Sequence, residues 1–85
     1  MVGPMYTVYI LKSQKYKKSY VGYTNDINRR LEEHNNRESN FTSKYAPWDL
    51  FYTETFVSRI EAINREKYLK SKKGRKFMKN LFDNK

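Results

Sequence analysis

Cysteine is absent from the 85 residues. That removes disulfides and thiolate zinc sites as staples for so short a chain, and it fits a reducing compartment. Long apolar runs are absent too, since nothing approaches the roughly 20 consecutive apolar residues of a spanning helix. Met1 to Leu11 carries neither a basic leader nor a continuous apolar segment, so no secretory signal is expected and a cytoplasmic, nucleoid-associated location is. Acid is scarce: 9 Asp and Glu stand against 18 Lys and Arg, a formal charge of +9. Such a surplus points to a polyanionic partner, either nucleic acid or an anionic membrane surface. The membrane alternative predicts an amphipathic helix with a free apolar face, and the helical patterns below leave none. With no repeat and no composition break, one domain is expected over residues 5–82, with 1–4 and 83–85 as flexible ends. Hydrophobic residues are only 38% but aromatics are 16%, so a few large rings must supply much of a small core.

Met5 to Lys12 alternates and is rich in β formers, with Val8 and Ile10 on one face and Thr7, Tyr9 and Leu11 on the other. Gln14 to Lys18 is a polar break that returns the chain into Ser19 to Tyr23 as a hairpin. A turn centred near Gln14 and Lys15 places Tyr9 opposite Tyr20. Asn25 or Thr24 then caps a helix whose apolar stripe is Ile27, Leu31 and His34. Arg30 lies at the edge of that stripe, one turn before His34, and Arg29 points away. Asn35 to Pro47 reads as a long surface loop. Trp48 to Phe56 alternates again, with Trp48, Leu50, Tyr52 and Phe56 on one face. Ser58-Arg59-Ile60-Glu61 is a capping-box pattern opening a helix that should run to Lys72 or Lys73, with Gly74 as its stop. Arg75 to Phe82 forms a last short helix. The expected fold is α/β of the α+β type: a small three-stranded antiparallel sheet flanked by helices, in the order β-β-α-β-α-α.

Two residues carry open alternatives on position alone. Glu66 falls on a helical wheel among Ala62, Ile63 and Leu69, where a carboxylate needs compensation for its desolvation. A divalent cation would supply it, and so would an edge pairing with Lys70 at i+4. Arg30 can pair with Asp26 at i−4, or its guanidinium can clamp a phosphate oxygen and offset transition-state charge.

Val8-Tyr9-Ile10 in one strand, Tyr20-Val21-Gly22 in the next, and Arg30 eight residues after that glycine together resemble the GIY-YIG nuclease family. The likeness is to its small single-domain members, often described as UvrC-like endonuclease domains, and it covers Met5 to about Phe82. Val8 stands where the family has its nominal Gly and Val21 where it has Ile; neither change removes a reactive group. The triplets are short, and the specificity lies in the ordered set with Arg30, His34 and Glu66. The run Arg65 to Lys70 resembles the family segment that supplies a single metal-binding Glu, which makes Glu66 the ligand of one Mg²⁺ or Mn²⁺. The resemblance implies that the Tyr9 and Tyr20 hydroxyls handle the attacking water and that Arg30 stabilises the pentacovalent phosphate. His34 is expected to share the proton transfer because its ordinary pKa is nearest the working pH. Gly22 is small where the sheet must let a helix or phosphate approach, and Thr24 matches a small hydroxylic position. No residue is assigned to the polar position, usually Asn, that some members supply after the metal-binding Glu.

Basic residues cluster around the hairpin and near the C-terminus. Lys12, Lys17, Lys18, Lys44, Lys67, Lys70 and Lys73 are the candidate phosphate contacts, giving salt-sensitive and weakly sequence-dependent binding. Phe41 and Tyr45 are candidates for stacking on unpaired bases; Trp48 could stack too, but its expected place is the core. The implied function is a divalent-metal-dependent endonuclease acting on DNA, structure-specific or repair-related. Its alternative is a non-catalytic nucleic-acid-binding module that keeps the fold. A domain this small has little surface for choosing a substrate, which leaves a protein partner or a second copy of the chain open.

Overall fold

Val8, Tyr9, Ile10 and Leu11 are consecutive, and each is at most 1% exposed. Burial on both faces is what a central strand requires, and this strand lies between the other two. The computed structural model describes residues 5–36 and 40–83. In chain order the elements are β1 (Tyr6–Ser13), β2 (Ser19–Thr24), α1 (Ile27–Asn35), α2 (Asn40–Ser43), β3 (Trp48–Phe56), α3 (Arg59–Lys70) and α4 (Lys72–Asp83). The sheet is antiparallel in the order β2-β1-β3, the expected α+β architecture. The expected flexible ends at 1–4 and 84–85 lie outside the described residues, and Asp83 is the last residue of α4.

Each face of the sheet carries its own helices. Val8, Ile10 and Val21 pack with Ala62 and Leu69 of α3 and Met78 of α4. Tyr9 and Leu11 face the other way, with Ala46 and Trp48, and are covered by Ile27 and Leu31 of α1. On the first face Arg65 of α3 makes a bidentate pair with Glu54 of β3, at 2.8 and 2.9 Å, and the Tyr52 hydroxyl donates to the same carboxylate at 2.6 Å. This partly buried, charge-assisted set fixes α3 against β3.

The structure corrects several local expectations. Tyr9 pairs with Gly22, and Leu11 pairs with Tyr20. The hairpin turn is therefore centred one residue later than expected, which shifts the partner by two. Because side chains alternate with period two, Tyr9 and Tyr20 still share a face, as diagonal neighbours. In β3, Ile10 pairs with Tyr52 but Leu11 with Leu50, so a bulge at Phe51 breaks the alternation. Trp48 and Leu50 consequently lie on the Tyr9 face while Tyr52 and Phe56 lie on the α3 face, rather than all four together. The helix cap is Asp26, whose side chain accepts from the Arg29 amide at 3.1 Å. Thr24 sits two residues earlier, its hydroxyl accepting from the Asp26 amide at 3.0 Å and shaping the turn into α1. Ser58 caps α3 as expected.

The segment read as an unbroken loop contains α2, and residues 37–39 of it lie outside the described residues. Its far end is clipped down: Asn35 accepts from the Trp48 amide at 2.6 Å and donates to the Trp48 carbonyl at 3.2 Å. Gly74 is not the stop of α3. That helix ends at Lys70, with Ser71 as its cap, and Gly74 lies inside α4, where a Cβ would run into the Tyr68 carbonyl oxygen and the Leu69 backbone. The glycine is there because two helices meet backbone to backbone.

Candidate active site

Tyr9 points from the central strand across the edge strand β2. It can do so because residue 22 has no side chain: a Cβ there would lie 2.6 Å from the Tyr9 hydroxyl and 2.8 Å from Cζ. The protein group that Gly22 admits is the Tyr9 ring rather than a helix. The hydroxyl meets His34 Nε2 at 3.0 Å, and His34 Nδ1 meets the Thr42 hydroxyl at 2.8 Å. Both His34 and Thr42 are fully buried. Trp48 holds the far end of this chain, its indole N–H donating to the Thr42 carbonyl at 2.9 Å. β1, α1, α2 and β3 thus converge on one polar thread inside an apolar layer.

Burial pushes the Tyr9 phenol up to about 12, against the lowering influence of Arg30. Burial also drives the His34 imidazole down to about 4, and the Arg30 charge adds to that effect. His34 is therefore neutral at neutral pH, which corrects the expectation that it titrates near the working pH. A neutral imidazole has one N–H. With the hydrogen on Nδ1, Thr42 accepts it and Nε2 accepts from Tyr9; with it on Nε2, the Tyr9 oxygen accepts and the Thr42 hydroxyl donates to Nδ1. The thread can carry a proton away from Tyr9 or return one to it.

Tyr20 closes over the same spot, with ring centroids 6.2 Å from Tyr9 and 4.9 Å from His34. Arg30 donates to Glu33 at 2.8 Å, not to Asp26, whose carboxylate is engaged as the cap. Glu33 is the main reason the Arg30 pKa is raised, and the Tyr9 and Tyr20 hydroxyls contribute in the same direction. Arg30 is thus oriented by an acid on its own helix while facing both phenols, and about a third of its side chain stays accessible.

Glu66 comes to this site from the other face of the sheet. Its side chain is 18% exposed, its charge is felt at Tyr9, and its Oε2 accepts from Lys70 Nζ at 2.9 Å. The carboxylate is neither expelled into solvent nor alone. Among the described residues no group of three or more His, Cys, Asp or Glu converges, which leaves Glu66 as the carboxylate considered for a hard cation. A single carboxylate would suit Mg²⁺, an ion that usually keeps several of its waters.

The two basic clusters meet at the start of β2. Lys12, Lys17 and Lys18 line one hollow of about 230 Å³ with Phe82. Lys70 and Arg75 line another of about 450 Å³ with Tyr20 and Phe41, and Ser19 borders both. Lys44, Lys67 and Lys73 are exposed and border neither hollow. Trp48 is 2% exposed and is core, which removes it as a stacking candidate. Phe41 is 48% exposed, 6.1 Å from Tyr20 and 5.4 Å from Tyr45 between centroids, and remains one. Thr42 and Glu33 carry no mark of their own in the sequence, as a threonine in a polar segment and an acid on a charged helix, whereas Arg75 belongs to the C-terminal basic cluster expected to meet phosphates. Among the described residues no helix is long and apolar enough to cross a membrane.

Comparison with known proteins follows the same lines. A family model described as the GIY-YIG catalytic domain matches residues 5–80. A UPF0213 protein of Staphylococcus epidermidis is 37% identical over 65 residues, 75% of this chain and 78% of that one. A UPF0213 protein of Clostridium perfringens is 41% identical over 64 residues, 74% of this chain and 68% of its own. The solution NMR structure of a UPF0213 protein from Bacillus halodurans aligns with a TM-score of 0.55 at 30% identity, covering 91% of this chain and 84% of that one.

Proposed function

Because this chain belongs to the GIY-YIG catalytic-domain family, we propose that it is a divalent-metal-dependent endonuclease that hydrolyses phosphodiester bonds in DNA. The observation that carries this reading is the buried Tyr9–His34–Thr42 thread, with Arg30 facing its phenol and Glu66 beside it. A buried, fully partnered phenol is a poor base by itself. Coupled to a neutral imidazole it becomes a relay: the oxygen takes a proton from the attacking water as its own proton passes to His34 Nε2.

Tyr20 borders the place where that water must sit and orients it. The water oxygen bonds to phosphorus, the opposite P–O bond breaks, and the leaving oxygen takes a proton from solvent. Arg30 turns its free N–H groups to the non-bridging oxygens, where negative charge grows. Glu66 would hold a Mg²⁺ or Mn²⁺, which supplies Lewis-acid neutralisation of the phosphate when bound. Lys12, Lys17, Lys18 and Lys70 contact the backbone on either side, with Lys44, Lys67 and Lys73 farther out. The unit acts inside the cell, and a partner or a second copy supplies the choice of DNA structure, in repair or elsewhere.

The test is divalent-dependent nicking of a panel of labelled linear and branched DNAs. Arg30→Ala and Glu66→Gln should each abolish cleavage while the folded NMR spectrum survives. Undiminished cleavage by both variants would end the proposal. Wild-type protein that binds DNA without cutting any member of the panel would replace it with the binding-module alternative.

A further inference from the structure

Lys70 stands with one positive charge beside the carboxylate assigned above to a divalent cation. Its Nζ is 2.9 Å from Glu66 Oε2, yet its side chain is 53% exposed against 18% for Glu66. The same ammonium lies 6.0 Å from the Tyr20 ring centroid and borders the 450 Å³ hollow with Arg75. It therefore has two stations within reach of one flexible stem: the carboxylate, and an anion-accepting hollow next to a second cation.

We propose that Lys70 is a resting-state stand-in for the metal. It neutralises Glu66 until a divalent cation displaces it, then swings into the hollow beside Arg75 to contact a substrate phosphate. This rests on the reading of Glu66 as the metal-holding residue. Desolvation explains why a stand-in is useful: a carboxylate kept away from bulk water needs a counter-charge whether or not metal is present. The mobility of the substitute explains why it can be displaced, because a half-exposed pair at i+4 contributes little and is readily given up to a doubly charged ion. The two sequence readings of Glu66, paired acid and metal ligand, are then successive states of one residue. Releasing Lys70 towards the hollow would also make cation binding and phosphate binding mutually supportive, since each withdraws it from, or draws it away from, the same carboxylate.

The test is a Mg²⁺ titration at constant ionic strength, followed by ¹H–¹⁵N NMR of the α3 amides and of Lys70 Nζ. Wild type should saturate with shifts around Glu66 that Glu66→Gln abolishes, and the Lys70 Nζ signal should move with them. Lys70→Met, which keeps the stem and removes the charge, should lower the apparent dissociation constant by about two- to fivefold, and Lys70→Arg should stay near wild type. An unchanged or weakened affinity in Lys70→Met, with the Glu66-dependent response intact, overturns the stand-in alone. A wild-type spectrum with no Glu66-dependent response overturns both the stand-in and the metal-holding role of Glu66.

Discussion

His34 is the residue whose chemistry changed most between sequence and structure. A histidine on a half-apolar stripe suggests a group titrating near pH 6.5, and only its burial, with the Arg30 charge beside it, shows otherwise. As the chain's only histidine it gives a clean spectroscopic signal. Its ring resonances should titrate in the folded protein with a midpoint near 4, as its surroundings dictate; a midpoint near 6.5 would contradict the buried thread. Stability should follow. The unfolded imidazole takes its proton near 6.5 and the folded one near 4, so between those values the unfolded chain binds the extra proton. The contribution is fully present above 6.5 and is lost as pH falls towards 4, by up to about 3 kcal/mol. Urea midpoints across that window should show the loss in wild type and a flatter profile in His34→Gln. Other residue-level features were legible for a plain reason: Arg30 and Glu66 stand out as charges on the margins of apolar stripes. Thr42 was not legible, because nothing in a polar segment tells a buried hydroxyl from a solvated one.

Among elements, what could be read followed from periodicity, and what could not followed from irregularity. Period-two alternation put Tyr9 and Tyr20 on one face even though the turn was misplaced, since an even slip preserves the face. The bulge at Phe51 was hidden, because no glycine or break in composition marks it, and it moved Trp48 and Leu50 away from Tyr52 and Phe56. The displacement has a use. It delivers Trp48 to the Tyr9 face, where its N–H fixes α2 through the Thr42 carbonyl. Gly74 was misread for a related reason: a glycine near a helix end fits both a stop and a close approach, and sequence spacing does not separate the two. The distinction can be measured. Gly74→Ala should raise helix propensity locally yet destabilise the protein by about 1–3 kcal/mol, because the new methyl meets the Tyr68 and Leu69 backbone. A neutral or stabilising change in the urea midpoint would restore the reading of Gly74 as a mere terminus.

At the scale of the molecule, the candidate site belongs to no single element. The hydrogen-bonded thread spans β1, α1 and α2, the guanidinium is on α1, and the carboxylate is on α3. β2 is an edge strand and is bare at Gly22, which lets the Tyr9 phenol lie across it. The formal charge of +9 favours a polyanionic partner, and in the proposed mechanism the buried thread moves the proton while Arg30 and Glu66 serve the phosphate and the metal. The measurement that bears most directly on this arrangement is single-turnover DNA cleavage by Tyr9→Phe, with the NMR spectrum recorded on the same sample. Loss of one hydroxyl should slow cleavage by about a hundredfold or more while the fold is retained. Cleavage at the wild-type rate by a folded Tyr9→Phe protein would contradict the account.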